Sequence, residues 1–203
     1  MLRLLAQFIS LVFHPLLMPT WLFGIMMYYF ASAVQPTQAW LLVIVLIFGM
    51  TFILPLLNLL FFKITGTIRS FYLVERKDRI LPFIFITIVY AGITAMIFWK
   101  MSFPIVFKLM VIITCLSLLV TVFTFFFKIS AHAVAGGGIA GVLLSMAIYS
   151  SVAELVVPSL IMLVLAGTVM SARLLLNAHK PQEVGWGGML GFVIGSAGIG
   201  MLF

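Results

Sequence analysis

The chain has 203 residues, of which 65% are hydrophobic and 7% charged, with a formal net charge of +7. That length suits one domain, but so little polar surface cannot coat a water-soluble globule, so lipid must act as the outer solvent. Backbone amides in hydrocarbon need partners within their own segment, which long apolar runs provide as helices, whereas a barrel would show short alternating stretches. The expected fold is all-α: a polytopic transmembrane bundle of six or seven helices, one integral membrane domain over residues 1–203. The basic excess suits anionic lipid or a phosphorylated substrate, but basic residues also fix membrane orientation, so charge alone assigns no function. The single cysteine, Cys115, excludes an intrachain disulfide and a cysteine-based metal site.

In chain order, apolar runs near the roughly 20 residues needed for a span lie at Leu4 to Phe30, Ala39 to Phe62, Leu81 to Trp99 and Pro104 to Phe127. Three more follow at Ala133 to Ser150, Leu155 to Ala172 and Val184 to Phe203. The first run begins after Arg3 and ends at Ala31-Ser32-Ala33, the outline of a cleaved signal, but its apolar core is too long for one. His14-Pro15 and Pro19 interrupt it and predict a kink or re-entrant start. His14, polar at membrane depth, is expected to face the bundle and bond to a neighbouring helix.

Three polar stretches break the pattern. Residues 63–82 form a basic interfacial loop or short surface helix, with Lys63, Arg69, Arg76, Lys77 and Arg79 against Glu75 and Asp78. Lys128, Ser130 and His132 precede three consecutive glycines, Gly136 to Gly138, and Arg173, Asn177, His179, Lys180 and Glu183 form the last cluster. If the helices alternate direction, all three clusters emerge on one side of the membrane.

The residue types there suit phosphoryl transfer. Pro181 is placed as the first residue of a helix, and Glu183 in its first turn is stabilised by the helix dipole and can hold the His179 imidazole in one tautomer. Such a histidine can attack phosphorus, Arg173 offers a planar fork to phosphate oxygens, and the free amides of a helix start form an anion site. Ser130 suits a helix cap, and His132 supplies a second imidazole as acid. His132 and His179 come from separate stretches and lack the i, i+4 pairing of histidines in a helical metal site, so with Glu183 they give no expectation of a metal. Gly187, Gly191 and Gly195, four residues apart, predict a closely packed last helix.

Arg173, His179, Glu183, Val184, Gly187 and Gly191 have the spacing of a motif, S-R-x5-H-x3-D-V-x2-G-x3-G, with Glu183 for aspartate and Ala172 inserted between Ser171 and Arg173. Ile129-Ser130-Ala131-His132 keeps the serine and histidine of a second, P-S-G-H, and Arg69 and Arg76 have the spacing of a third, K-x6-R-P, without its proline; Arg79-Ile-Leu-Pro82 is the alternative. In these motifs the chain resembles the type-2 phosphatidic-acid phosphatases, as a divergent bacterial-like member. The resemblance, over about the C-terminal two thirds, implies His179 as nucleophile, His132 as general acid, Glu183 as orienter, and Arg173, Arg76, Lys77, Arg79 and Ser130 as phosphate binders. It implies a lipid phosphate phosphatase of a bacterial cytoplasmic membrane, with a phosphorylated lipid and membrane lipids as partners, and no nucleic acid, metal or cofactor. The alternative is a membrane protein that binds or transports anionic lipid without catalysis.

Overall fold

A computed structural model of the chain describes residues 1–34, 37–70, 73, 75–100, 103–149 and 153–202. The expected run ends at Ser150 and Phe203, and Phe71, Tyr72 and Val74 of the basic loop, lie outside the described residues. Among those described there is no strand, and the molecule is an all-α bundle. Helices α1 (Leu2–Val12), α2 (Met18–Val34), α3 (Thr37–Phe48) and α4 (Leu54–Ile64) precede the basic stretch. After it come α5 (Lys77–Lys100), α6 (Pro104–Phe126), α7 (Ala131–Tyr149), α8 (Val156–Leu175) and α9 (Pro181–Leu202). Among the described residues, six segments are long and apolar enough to cross a membrane: 40–64, 77–100, 104–126, 131–149, 153–175 and 181–202.

The first apolar run is not one continuous span. It breaks over residues 13–17, where Pro15 has no N–H to continue the helical ladder, and Leu17 N–H instead donates to the His14 carbonyl (2.8 Å) in a tight turn. Helix α1 buries Ala6 and Ser10, leaves Leu2, Leu4, Leu5, Phe8 and Leu11 exposed, and packs on α8. A π-helical turn, Gly49–Ile53, joins α3 to α4 within one span. The extra residue in that turn loosens the ladder, and Tyr90 of α5 donates its hydroxyl to the Thr51 carbonyl (3.2 Å).

Helices α5 and α6 are joined by polar contacts inside the apolar layer. Thr87 lies 2.8 Å from both Ser117 and Thr121, and Thr94 lies 2.8 Å from Thr114. With no hydrophobic force to drive helices together in lipid, such hydrogen bonds and close backbone packing do that work.

The closest packing is between α7 and α9. A Cβ added at Gly137 would sit 2.2 Å from the Gly188 carbonyl oxygen, and one at Gly141 2.3 Å from that of Phe192. From the other side, Gly191 and Gly195 would place a Cβ 2.2 and 2.3 Å from the carbonyls of Val134 and Gly138. Only glycine allows this approach, as the four-residue spacing in α9 predicted. The contacts advance together along both helices, so α7 and α9 run parallel and begin at the same end of the bundle.

Candidate functional site

The basic segment ends earlier than the sequence predicts. Residues 77–82 belong to α5, and Pro82 lies inside that helix rather than closing the loop. Asp78 sits in the first turn, where the helix dipole favours a carboxylate. This early start places Arg79 on a helical turn and buries it to 6% exposure, with Nε donating to the Leu73 carbonyl at 2.6 Å.

The three polar stretches meet at one end of the bundle through direct hydrogen bonds. Arg76 donates to the carbonyls of Thr124 and Phe125 at the end of α6. Lys128 donates to the Ala178 carbonyl (2.9 Å), and Ser130 N–H to the Glu183 carbonyl (3.2 Å). The N-termini of α5, α7 and α9 therefore share this face, each with free amides and a positive dipole end.

The turn from α8 to α9 sets the central dyad. Ala178 N–H donates to the Arg173 carbonyl (3.1 Å) and Asn177 N–H to that of Leu174 (2.9 Å), a Schellman cap with Asn177 left-handed at φ 53°. The chain then enters α9 at Pro181, where Glu183 occupies the third helical position. Glu183 Oε2 accepts from Lys180 N–H (3.3 Å), half of a capping box, and lies 2.7 Å from His179 Nδ1. Burial lowers the affinity of His179 for a proton. The Glu183 hydrogen bond opposes that, and the nearby positive charges of Arg79, Lys128 and Arg173 reinforce it. His179 is thus a neutral imidazole at pH 7, with its proton on Nδ1 toward the carboxylate. Nε2 is left with its lone pair. Burial, then repulsion from Arg79, also holds Lys128 below the usual lysine range.

A cavity of about 110 Å³ lies against this dyad, lined by His14, His132, His179, Arg79, Arg173 and Leu73 among others. One ordered water needs roughly 10–15 Å³ measured this way, so the space admits a group of phosphate size. Arg173 Nε is buried without a hydrogen-bond partner. An unpaired buried donor costs on the order of 1–3 kcal/mol, which an anion in the cavity would recover. A second, apolar cavity of about 90 Å³ adjoins it, and the two share Pro15, Leu16, Phe83, Ile86 and Ala131 as walls. The apolar one runs on between α2, α5, α6 and α7 past Leu22, Tyr90 and Ile139.

Of the residues singled out from sequence, His132, His179, Arg79 and Arg173 line the polar cavity, with Glu183 behind His179. Arg76, Lys77 and Ser130 do not. Arg76 is spent on the α6 carbonyls, Lys77 is exposed, and Ser130 is fully buried with its oxygen 3.4 Å from Ala133 N–H as the α7 cap. His14, read from sequence as bonded to a neighbouring helix, lines the cavity, and among the described residues its ring hydrogen-bonds only to Leu16 N–H of its own turn. The interruption of an apolar run by His14-Pro15 was the available signal. His132 Nε2 lies 3.1 Å from the Ser10 carbonyl of α1, so it is the protonated nitrogen. Among the described residues, no three His, Cys, Asp or Glu side chains converge closely enough to hold a metal ion. Comparison with protein-family models, curated proteins and solved structures returned no match.

Proposed function

We propose that this chain is a phosphatase of lipid phosphomonoesters or diphosphates that works through a phosphohistidine on His179. The observation that carries the reading is the pair of a buried His179 and Glu183, 2.7 Å apart, beside two arginines that line a cavity of phosphate size. The apolar cavity that continues from it supports a substrate with a hydrocarbon tail.

Glu183 holds His179 so that Nε2 carries the lone pair. Nε2 attacks phosphorus, a P–N bond forms, and the P–O bond to the lipid breaks. Arg173 and Arg79 offset the charge on the non-bridging oxygens, and their buried setting strengthens that effect. The departing oxygen takes a proton from an imidazole of the cavity. For His132 to be that acid, Nδ1 must first take a proton from water in the cavity while Nε2–H stays on the Ser10 carbonyl; the imidazolium then gives the Nδ1 proton to the departing oxygen and returns to the neutral ring. Water then attacks phosphorus and gives its proton to the neutral Nδ1 of His132, the P–N bond breaks with its electron pair returning to His179 Nε2, and inorganic phosphate leaves with His179 restored.

The test is phosphate release by purified protein in detergent from phosphatidate, phosphatidylglycerophosphate and a polyprenyl diphosphate, with and without His179→Ala. Release that His179→Ala abolishes, together with an acid-labile phosphoenzyme, is the expected result. No release from any of these lipids at any pH sinks the proposal. Lipid binding that depends on Arg173 but not on His179 points instead to a non-catalytic anionic-lipid protein.

A further inference from the structure

We propose that His14 is a third, unassigned phosphate-binding residue of this cavity, donating a hydrogen bond from Nε2–H to a phosphoryl oxygen. This rests on the reading of the cavity as a phosphate site. No motif in the sequence includes His14, which lies far from the other site residues in the chain.

The orientation of the His14 ring is set at Pro15. Having no N–H, it makes Leu16 N–H the first donor after His14, and that donor bonds to His14 Nδ1 at 3.3 Å. The turn is fixed from outside as well, because Thr51 Oγ1 donates to the Leu16 carbonyl at 3.4 Å and Tyr90 in turn holds the Thr51 carbonyl. With Nδ1 accepting, the proton of the neutral ring must be on Nε2. That N–H has no protein acceptor among the described residues, and the atom is not sealed by protein.

Its surroundings define the missing acceptor. The ring stands edge-on to His132, with centroids 5.4 Å apart and planes at 80°, and shares the cavity wall with Arg79, Arg173 and His179. Among the described residues no carboxylate lines this cavity; Glu183 stands behind His179. A neutral N–H donor next to two guanidinium groups adds a hydrogen bond to an anion without adding charge repulsion between the clamp residues. The edge contact also limits rotation of the His132 ring, so His14 restrains its neighbour as well as binding the ligand.

The test is titration of inorganic phosphate, and of vanadate as its analogue, against the purified full chain in detergent, with binding read by calorimetry. His14→Phe keeps a flat ring against His132 but has no donor, and His14→Gln restores an N–H. Arg173→Met serves as the control for the cavity itself. The expected result is phosphate affinity roughly tenfold or more lower in His14→Phe, the loss typical of one hydrogen bond to a charged acceptor, and largely restored in His14→Gln. If His14→Phe binds within about twofold of the parent while Arg173→Met does not bind, the role of His14 is refuted and the phosphate cavity stands. Equal losses in His14→Phe and His14→Gln refute donation and leave only packing. If the parent chain binds neither anion, the phosphate reading and the His14 role fall together.

Discussion

Replacing Gly191 with alanine tests whether backbone contact between α7 and α9 holds the site together. The new Cβ would stand 2.2 Å from the Val134 carbonyl oxygen, where ordinary contact begins at 3.4 Å, so the two backbones must part by about 1.2 Å. Neither side can yield locally, because the obstacle is main chain and Gly195 meets the Gly138 carbonyl one turn further along. Overpacking of this kind costs about 1–3 kcal/mol, against a helix-propensity gain of up to about 1 kcal/mol for alanine over glycine. Gly185→Ala isolates the clash: it lies in the same helix and has nothing within 4 Å of its virtual Cβ, so it takes the propensity gain alone. Equilibrium unfolding in mixed micelles should find Gly191→Ala about 1–3 kcal/mol less stable than Gly185→Ala. Separation of the helices also loosens the Ser130 N–H to Glu183 carbonyl bond (3.2 Å), so any phosphatase activity should fall in Gly191→Ala and not in Gly185→Ala. Equal stability of the two variants would refute the packing argument.

Other expectations concern the dyad and its supports. Glu183→Gln keeps a hydrogen-bonding side chain but loses the carboxylate that holds the His179 tautomer, and phosphate release should drop by about a hundredfold or more with little change in melting temperature. Because His179 titrates below its ordinary 6.5, its imidazole stays neutral as pH falls through that value, and with His179 as the proposed nucleophile the acid limb of kcat/KM should lie clearly below it. A limb centred at or above 6.5 would show that His179 is not the titrating base. Asn177→Val puts a β-branched residue at φ 53° in the α8 cap and should cost about 1–2 kcal/mol of stability, whereas Asn177→Gly should be close to neutral, both read by denaturant titration. Tyr90→Phe removes the hydroxyl that holds the Thr51 carbonyl at the π-helical turn, and about 0.6 kcal/mol, the average for such bonds between membrane helices, should be lost in the same assay.

Composition and the length of the apolar runs were enough to determine the membrane bundle, because in lipid only helices and closed barrels satisfy the backbone, and continuous apolar runs near 20 residues are not the short alternating stretches of a barrel. Local spacing was enough for the relation between His179 and Glu183, since a proline start places the third helical residue back over the chain that enters the helix. The four-residue glycine repeat in α9 was legible for the same reason, as positions four apart share one helix face. Which cation stands beside the dyad was not legible. Arg76 and Arg79 look alike in a basic stretch, and only the start of α5 at Lys77 turns Arg79 inward while the end of α6 takes up Arg76. Nor could periodicity bring His14 to His132, more than a hundred residues away, or put the Ser10 carbonyl on the His132 ring. Those contacts depend on the break at Pro15, the seat of α1 on α8 and the depth to which glycine lets α7 and α9 approach. Each of these is decided by packing between segments distant in the chain, which no local pattern of residues encodes.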